Sequence, residues 1–184
     1  MRGRGVRLVL LCEDDEHWRF ARLVFLRLGY HSRELRVSLS PAARGAAERW
    51  VRQQYPNQVR MHRRKASFQN VGLLLVIDAD KQTVDYRHQQ LSNALDEAGL
   101  DQRGPREPIV IWVPKRHIET WVADLLGHAA NEDDDYKNLV RDADYRVVAG
   151  RFADRYQKPA DRPANLIPSM SRAFDEMERL PASQ

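Results

Sequence analysis

Val71-Gly72-Leu73-Leu74-Leu75-Val76-Ile77-Asp78-Ala79-Asp80 is the stretch whose reading decides the fold. Residues 71–77 carry no charged or polar side chain. The run is short for a helix, and nothing in it alternates. It predicts a strand buried on both faces, as in a parallel sheet covered by helices. Two aspartates separated by one residue end it abruptly. Ligands of parallel α/β sheets gather outside the carboxyl ends of the strands, so Asp78 and Asp80 stand where chemistry is expected.

The same pattern recurs on either side. Residues 6–12 are a second apolar run, followed at once by Glu13-Asp14-Asp15-Glu16. From Asp15 the periodicity is helical, with Trp18, Ala21, Arg22 and Phe25 at intervals of three and four and Gly29 as a stop. Residues 34–39 read as a strand, and Ser40-Pro41 as the start of a helix with proline at its first position. That helix is expected to reach about Gln54, with Tyr55-Pro56-Asn57 breaking it and the basic segment 58–69 following as an exposed loop. Further on, 83–98 predicts a helix closed by Gly99, 109–113 a strand stopped by Pro114, and 118–126 a helix ended by Gly127. In the tail, Ile167, Met170, Phe174, Met177 and Leu180 recur at helical spacing over 165–180. The fold class expected is α/β: a Rossmann-like, mostly parallel four-stranded sheet with helices on both faces and a C-terminal helical tail. Residues 1–140 are expected to form the α/β domain and 141–184 a helical extension packed on it.

The 184 residues are 42% hydrophobic and 30% charged, enough for one domain with a real core. No run approaches a membrane span, and the apolar run after the basic N-terminus is too short for a signal-peptide core. The single cysteine, Cys12, forms no internal disulfide and is too little for a zinc ribbon or iron–sulfur cluster. These features predict a cytoplasmic protein with no membrane partner. The net charge of +4 is unevenly placed: residues 1–75 hold 15 Lys+Arg against 6 Asp+Glu, residues 76–184 hold 15 against 20. A basic half beside an acidic half suits a protein that grips a polyanion and holds cations near it, or one whose arginines simply decorate solvated helices.

If the strands ending at Glu13 and Asp78 are neighbours, Glu13, Asp78 and Asp80 converge. Crowded carboxylates repel and need a counter-cation to stay ionised. Mg²⁺ or Mn²⁺ is the hard, oxygen-seeking choice, completing its shell with water and substrate phosphate. The plainer reading is that the two aspartates only cap the following helix.

The order strand–Glu–helix followed by strand–Asp-X-Asp–helix resembles the Toprim domain of topoisomerases, DnaG-type primases, overcoming-lysogenization-defect nucleases and small ribosomal-RNA maturases. Cys12-Glu13 is similar to the first Toprim motif and Asp78-Ala79-Asp80 to the second, although Asp14 stands where a glycine often follows the glutamate. The stretch Val113-Pro114-Lys115-Arg116-His117-Ile118-Glu119-Thr120-Trp121 and the later Asp135-Tyr136-Lys137 resemble elements of small stand-alone Toprim-like proteins of bacterial defence. The resemblance covers about residues 6–140. It implies a metal-dependent nuclease in which Asp78 and Asp80 hold Mg²⁺ or Mn²⁺. Glu13 would share the metal or act as general base, Glu119 would be a fourth carboxylate, and Lys137 would neutralise the phosphate. A separately encoded ATPase would be its partner.

Glu119 also reads as a first-turn glutamate favoured by the helix dipole, and Lys137 as a surface pair. Lys115, Arg116 and His117 could contact phosphate or be solvated. Arg60, Arg63, Arg64 and Lys65 are expected to bind nucleic acid, and their charge reversal to leave the fold intact. His17 has no second histidine at i+4 and so lacks zincin spacing. Trp18 and Trp121 read as core; Trp50 and Tyr55 could stack bases but better suit helix packing. Three function classes follow: a metal-dependent nuclease, a non-catalytic nucleic-acid- or partner-binding module, and a receiver-type phosphotransferase, which needs Lys115 as its late lysine.

Overall fold

The four expected strands form one parallel sheet in the computed structural model, which describes residues 6–41 and 46–181. In chain order they are β1 (Arg7–Cys12), β2 (Leu35–Leu39), β3 (Val71–Val76) and β4 (Ile109–Trp112). Their spatial order is β2-β1-β3-β4, with Cys12 opposite Leu39 on one side and Val76 on the other. The chain first winds outward from β1 to β2, then crosses back to β3 and β4. The switch point therefore lies between the carboxyl ends of β1 and β3, where open α/β sheets bind their ligands.

Side-chain alternation sends the two strand faces into two cores. Leu8, Leu10, Cys12, Leu74, Val76, Val110 and Trp112 point to one face, where they meet α1 (Asp15–Arg27), α4 (Ile118–Leu126), α5 (Tyr145–Gln157) and α6 (Pro168–Met177). Leu11, Leu73, Leu75, Ile77, Ile109 and Ile111 point to the other, beneath α2 (Ala47–Ala66) and α3 (Val84–Glu97). The first face is aromatic: Trp112 lies within 5.1–6.1 Å of the Phe20, Phe25, Trp121 and Phe152 ring centroids, and Phe174 of α6 sits 4.9 Å from Phe152. The tail helices thus complete this core. Trp121 is fully buried and its Nε1 donates to Ser169 at 2.8 Å; Tyr55 is buried, and Trp18 and Trp50 are partly buried against the cores.

Two sequence expectations need correction. The helix expected to stop near Gln54 runs on through Pro56, so residues 58–66 are helix and not loop. Proline removes one helix hydrogen bond, but Val51, Tyr55, Pro56, Val59 and His62 form a continuous buried stripe that holds the helix on β3. Ser40 and Pro41 are not helical; residues 42–45 lie outside the described residues, and the helix begins at Ala47. In the tail, the helical extension expected over 141–184 holds α5 as well as α6: Asp144 caps α5, and Tyr145, Val148, Ala149 and Phe152 give it an apolar face. Among the described residues no helix is long and apolar enough to cross a membrane.

Candidate functional site

The register that pairs Cys12 with Val76 brings Glu13 and Asp78 to neighbouring strand ends, near enough for the Asp78 charge to be the largest electrostatic influence on Glu13. Beyond Val76 the chain stays zipped to the β4–α4 connection. Ile77 N donates to Trp112 O (3.1 Å), Ala79 N to Pro114 O (2.9 Å) and Asp80 N to Arg116 O (3.1 Å). Among the described residues only two non-glycines have positive φ, Asp80 at 53° and Arg116 at 70°. They are the two ends of that last hydrogen bond. Left-handed backbone at an ordinary residue costs about 1–3 kcal/mol and gathers at functional sites. The Asp78 and Asp80 side chains meet at one centre, since His117 Nδ1 lies near both.

The aspartates do not cap the next helix. Thr83 does, its Oγ1 accepting from Tyr86 N at 3.0 Å. Asp14 caps α1 by accepting from His17 N at 2.9 Å, which gives a structural reason for a residue other than glycine after Glu13.

Asp78 is buried between two imidazoles. His17 Nε2, fully buried, lies 3.0 Å from Asp78 Oδ1, and His117 Nδ1 lies 3.5 Å from Oδ2 and 3.7 Å from Asp80 Oδ1. Burial pushes the Asp78 carboxyl up, but the His17 and His117 contacts outweigh it and hold the pKa below the usual carboxylate value. Burial disfavours a charged His17, yet Asp78 reverses this and raises it to about 10. His117 is raised too, first by its contact with Asp78. Glu13 is the outlier: burial, then the Asp78 charge, lift it to about 8, and its Oε1 is buried without a hydrogen-bond partner among the described residues. Asp80 is raised by burial and by Asp78; Arg87 Nη2 approaches it at 3.7 Å.

Glu119, in the first turn of α4, is buried and lifted to about 7, by burial foremost, then by Glu16 and Asp78. Lys137 is exposed at the rim, where its charge acts on Glu119 and His117. Lys115 pairs with Asp133 at 3.8 Å. A cleft of about 560 Å³ opens beside the carboxylates, lined among others by Glu13, Glu48, Asp80, Lys81, Tyr86 and Arg116.

The predicted basic cluster lies elsewhere. Helix α2 starts at the cleft, where Glu48 pairs with Arg87, and ends where Arg63 pairs with Glu107, just before β4. Roughly 25 Å of helix separates Glu48 from Lys65. Arg60, Arg63, Arg64 and Lys65 therefore sit toward the amino ends of the strands. Arg63 is also structural: it donates to both Glu107 oxygens and to the Asp101 and Gln102 carbonyls. The expectation that all four could be reversed without harm to the fold does not hold for Arg63.

His17 and His117 were undervalued in the sequence. His17 is four residues after Glu13, on the inward face of a helix starting at a strand end, and that spacing was the available signal.

As to metal, among the described residues no group of three or more His, Cys, Asp or Glu is arranged to hold an ion. The donor chemistry of Glu13, Asp78 and Asp80 nonetheless fits a hard cation, which one or two carboxylates with water and phosphate suffice to bind. The unpartnered Glu13 oxygen is the atom such a cation would satisfy. Fold and site together define a doubly wound α/β protein with an acidic centre at its switch point. Comparison with family models, curated proteins and solved structures finds no match for this chain.

Proposed function

We propose that this chain is a Toprim-like, Mg²⁺- or Mn²⁺-dependent nuclease that hydrolyses phosphodiester bonds of nucleic acid, a cytoplasmic enzyme working with a separately encoded ATPase in bacterial defence. The observation that carries the reading is the meeting of Glu13 with Asp78 across β1 and β3, with a buried, unsatisfied Glu13 oxygen facing the aspartates' charge. Glu13, Asp78 and Asp80 would hold the cation, with Glu119 as a fourth carboxylate. When bound, it would supply charge stabilisation at the phosphoryl oxygens. Where Glu13 acts as general base instead of sharing the cation, a pKa of about 8 suits a group that takes and returns a proton near neutral pH. His17 holds one Asp78 oxygen and so orients that carboxylate. Lys137 stands at the rim, where an ammonium can offset phosphate charge.

The test is incubation of the purified protein with labelled DNA and RNA in Mg²⁺, in Mn²⁺ and in chelator. Cleavage is expected only with metal, and Glu13→Gln is expected to lose it while remaining folded. Thermal melts give a readout free of activity: metal should raise the wild-type melting temperature by mass action and leave Asp80→Asn unmoved. Equal metal response of both proteins, without cleavage by either, would favour a binding module with the same fold.

A further inference from the structure

The cleft beside the carboxylates has two kinds of wall. Arg52 and Arg87 are already engaged: both pair with Glu48, and Arg87 also approaches Asp80. Lys81 and Arg116 are different, since neither is ion-paired with any described residue, and the buried Arg116 Nε has no hydrogen-bond partner. Lys81 follows Asp80 directly. Arg116 is held in left-handed backbone by the Asp80 N–H. Two uncommitted cations therefore flank the one acidic residue that faces the cleft from the β3–α3 turn. Tyr86, in the first turn of α3, is 49% exposed and lines the same cleft, so its ring face is open to a ligand there.

We infer that this cleft binds an unpaired nucleic-acid strand, with Tyr86 stacking one base and Lys81 and Arg116 gripping the adjacent phosphate beside Glu13 and Asp80. The inference rests on the nuclease reading and replaces the far end of α2 as the main contact. An aromatic face beside cations is the usual platform for single strands, whose bases have free π-faces; in a duplex those faces are stacked shut. A recessed cleft lined partly by carboxylates also disfavours the broad, doubly charged duplex. The Glu13 and Asp80 charges repel phosphate unless it is pinned, and Lys81 and Arg116 are placed to pin it.

The experiment is fluorescence anisotropy in chelator, so that binding is read without cleavage. The probes are a labelled 20-nucleotide DNA of mixed sequence, the same strand annealed to its complement, and its RNA counterpart. The unpaired strands are expected to bind more tightly than the duplex, and the tighter of DNA and RNA identifies the sugar. Tyr86→Ala should weaken single-strand binding about tenfold, within the range for one stacked base, and Tyr86→Phe should restore it. Lys81→Ala and Arg116→Ala should each lower the logarithmic salt slope by roughly 0.7, the value for one phosphate contact on a single strand. An Arg64→Ala/Lys65→Ala double variant should lose less than either. Binding that prefers the duplex and ignores Tyr86→Ala, or falls mainly in the Arg64/Lys65 variant, overturns the cleft assignment and leaves the nuclease reading standing. No binding of any probe by the wild type in chelator overturns the cleft assignment, and the nuclease reading falls with it only if cleavage in Mg²⁺ and Mn²⁺ is absent as well.

Discussion

Asp78 is a carboxylate that the fold has removed from water, and its stability depends on His17. The imidazole is completely buried and its Nε2 meets Asp78 Oδ1 at 3.0 Å. Removing one partner of a buried ion pair leaves the other uncompensated, typically at a cost of about 3–5 kcal/mol. His17→Leu is therefore expected to lower the unfolding free energy, read from urea denaturation, by an amount in that range, and His17→Gln, which can still donate to the carboxylate, by clearly less. Equal midpoints for wild type and His17→Leu would mean that Asp78 finds compensation elsewhere. The spacing from Glu13 could place His17 at the strand end but not against Asp78. His17 precedes Asp78 by 61 residues, and only the register of β1 against β3 brings them together. Glu13, Asp78 and Asp80 were legible because a charged residue directly after a buried strand has few places to go.

At the scale of elements, α2 shows where local reading fails and why. Tyr55-Pro56-Asn57 carries every mark of a break, yet the helix passes through it, because the stripe from Val51 to His62 buries more than the lost hydrogen bond costs. The strands were easier, since a run apolar on both faces has one home in a soluble protein. Two arginines one residue apart near the end of α2 should now behave differently. Arg63→Ala removes a bidentate pair with Glu107 and two carbonyl contacts that tie α2 to the loop before β4. Allowing for partial exposure, a loss of about 1–2 kcal/mol is expected. Arg64→Ala, on an exposed position, should fall within about 0.5 kcal/mol of wild type. Chemical denaturation of the two variants decides it, and equal midpoints would remove Arg63 from the structural account.

For the whole molecule, the acidic switch point sets how stability responds to pH. Glu13 is raised from 4.5 to about 8, so between those values the folded chain holds a proton that the unfolded chain has released, and stability falls as pH rises. His17, raised from 6.5 to about 10, acts in the same direction: its contribution is complete below pH 6.5 and is lost on the way to 10. His88 opposes them on the acid side. Burial foremost, then Arg172, lower it from 6.5 to about 4, so the unfolded chain binds the extra proton and stability falls as pH drops through that window. Between pH 4.5 and 6.5 Glu119, raised from 4.5 to about 7, adds to Glu13 while His88 opposes them, so the decline there should be shallow. From 6.5 to 8 the Glu13 and His17 effects add, each worth up to about 1.4 kcal/mol per pH unit. Urea unfolding at pH 5, 6.5 and 8 should show a shallow decline followed by a steeper alkaline one. Glu13→Gln cannot titrate and should make the decline shallower. In wild type Mg²⁺ should do the same by favouring the ionised carboxylate, whereas in Glu13→Gln it should have little effect on the slope. A wild-type curve that rises between pH 6.5 and 8 would show that the Glu13 carboxyl is already ionised at neutral pH, and that the centre is less desolvated than its buried oxygen implies.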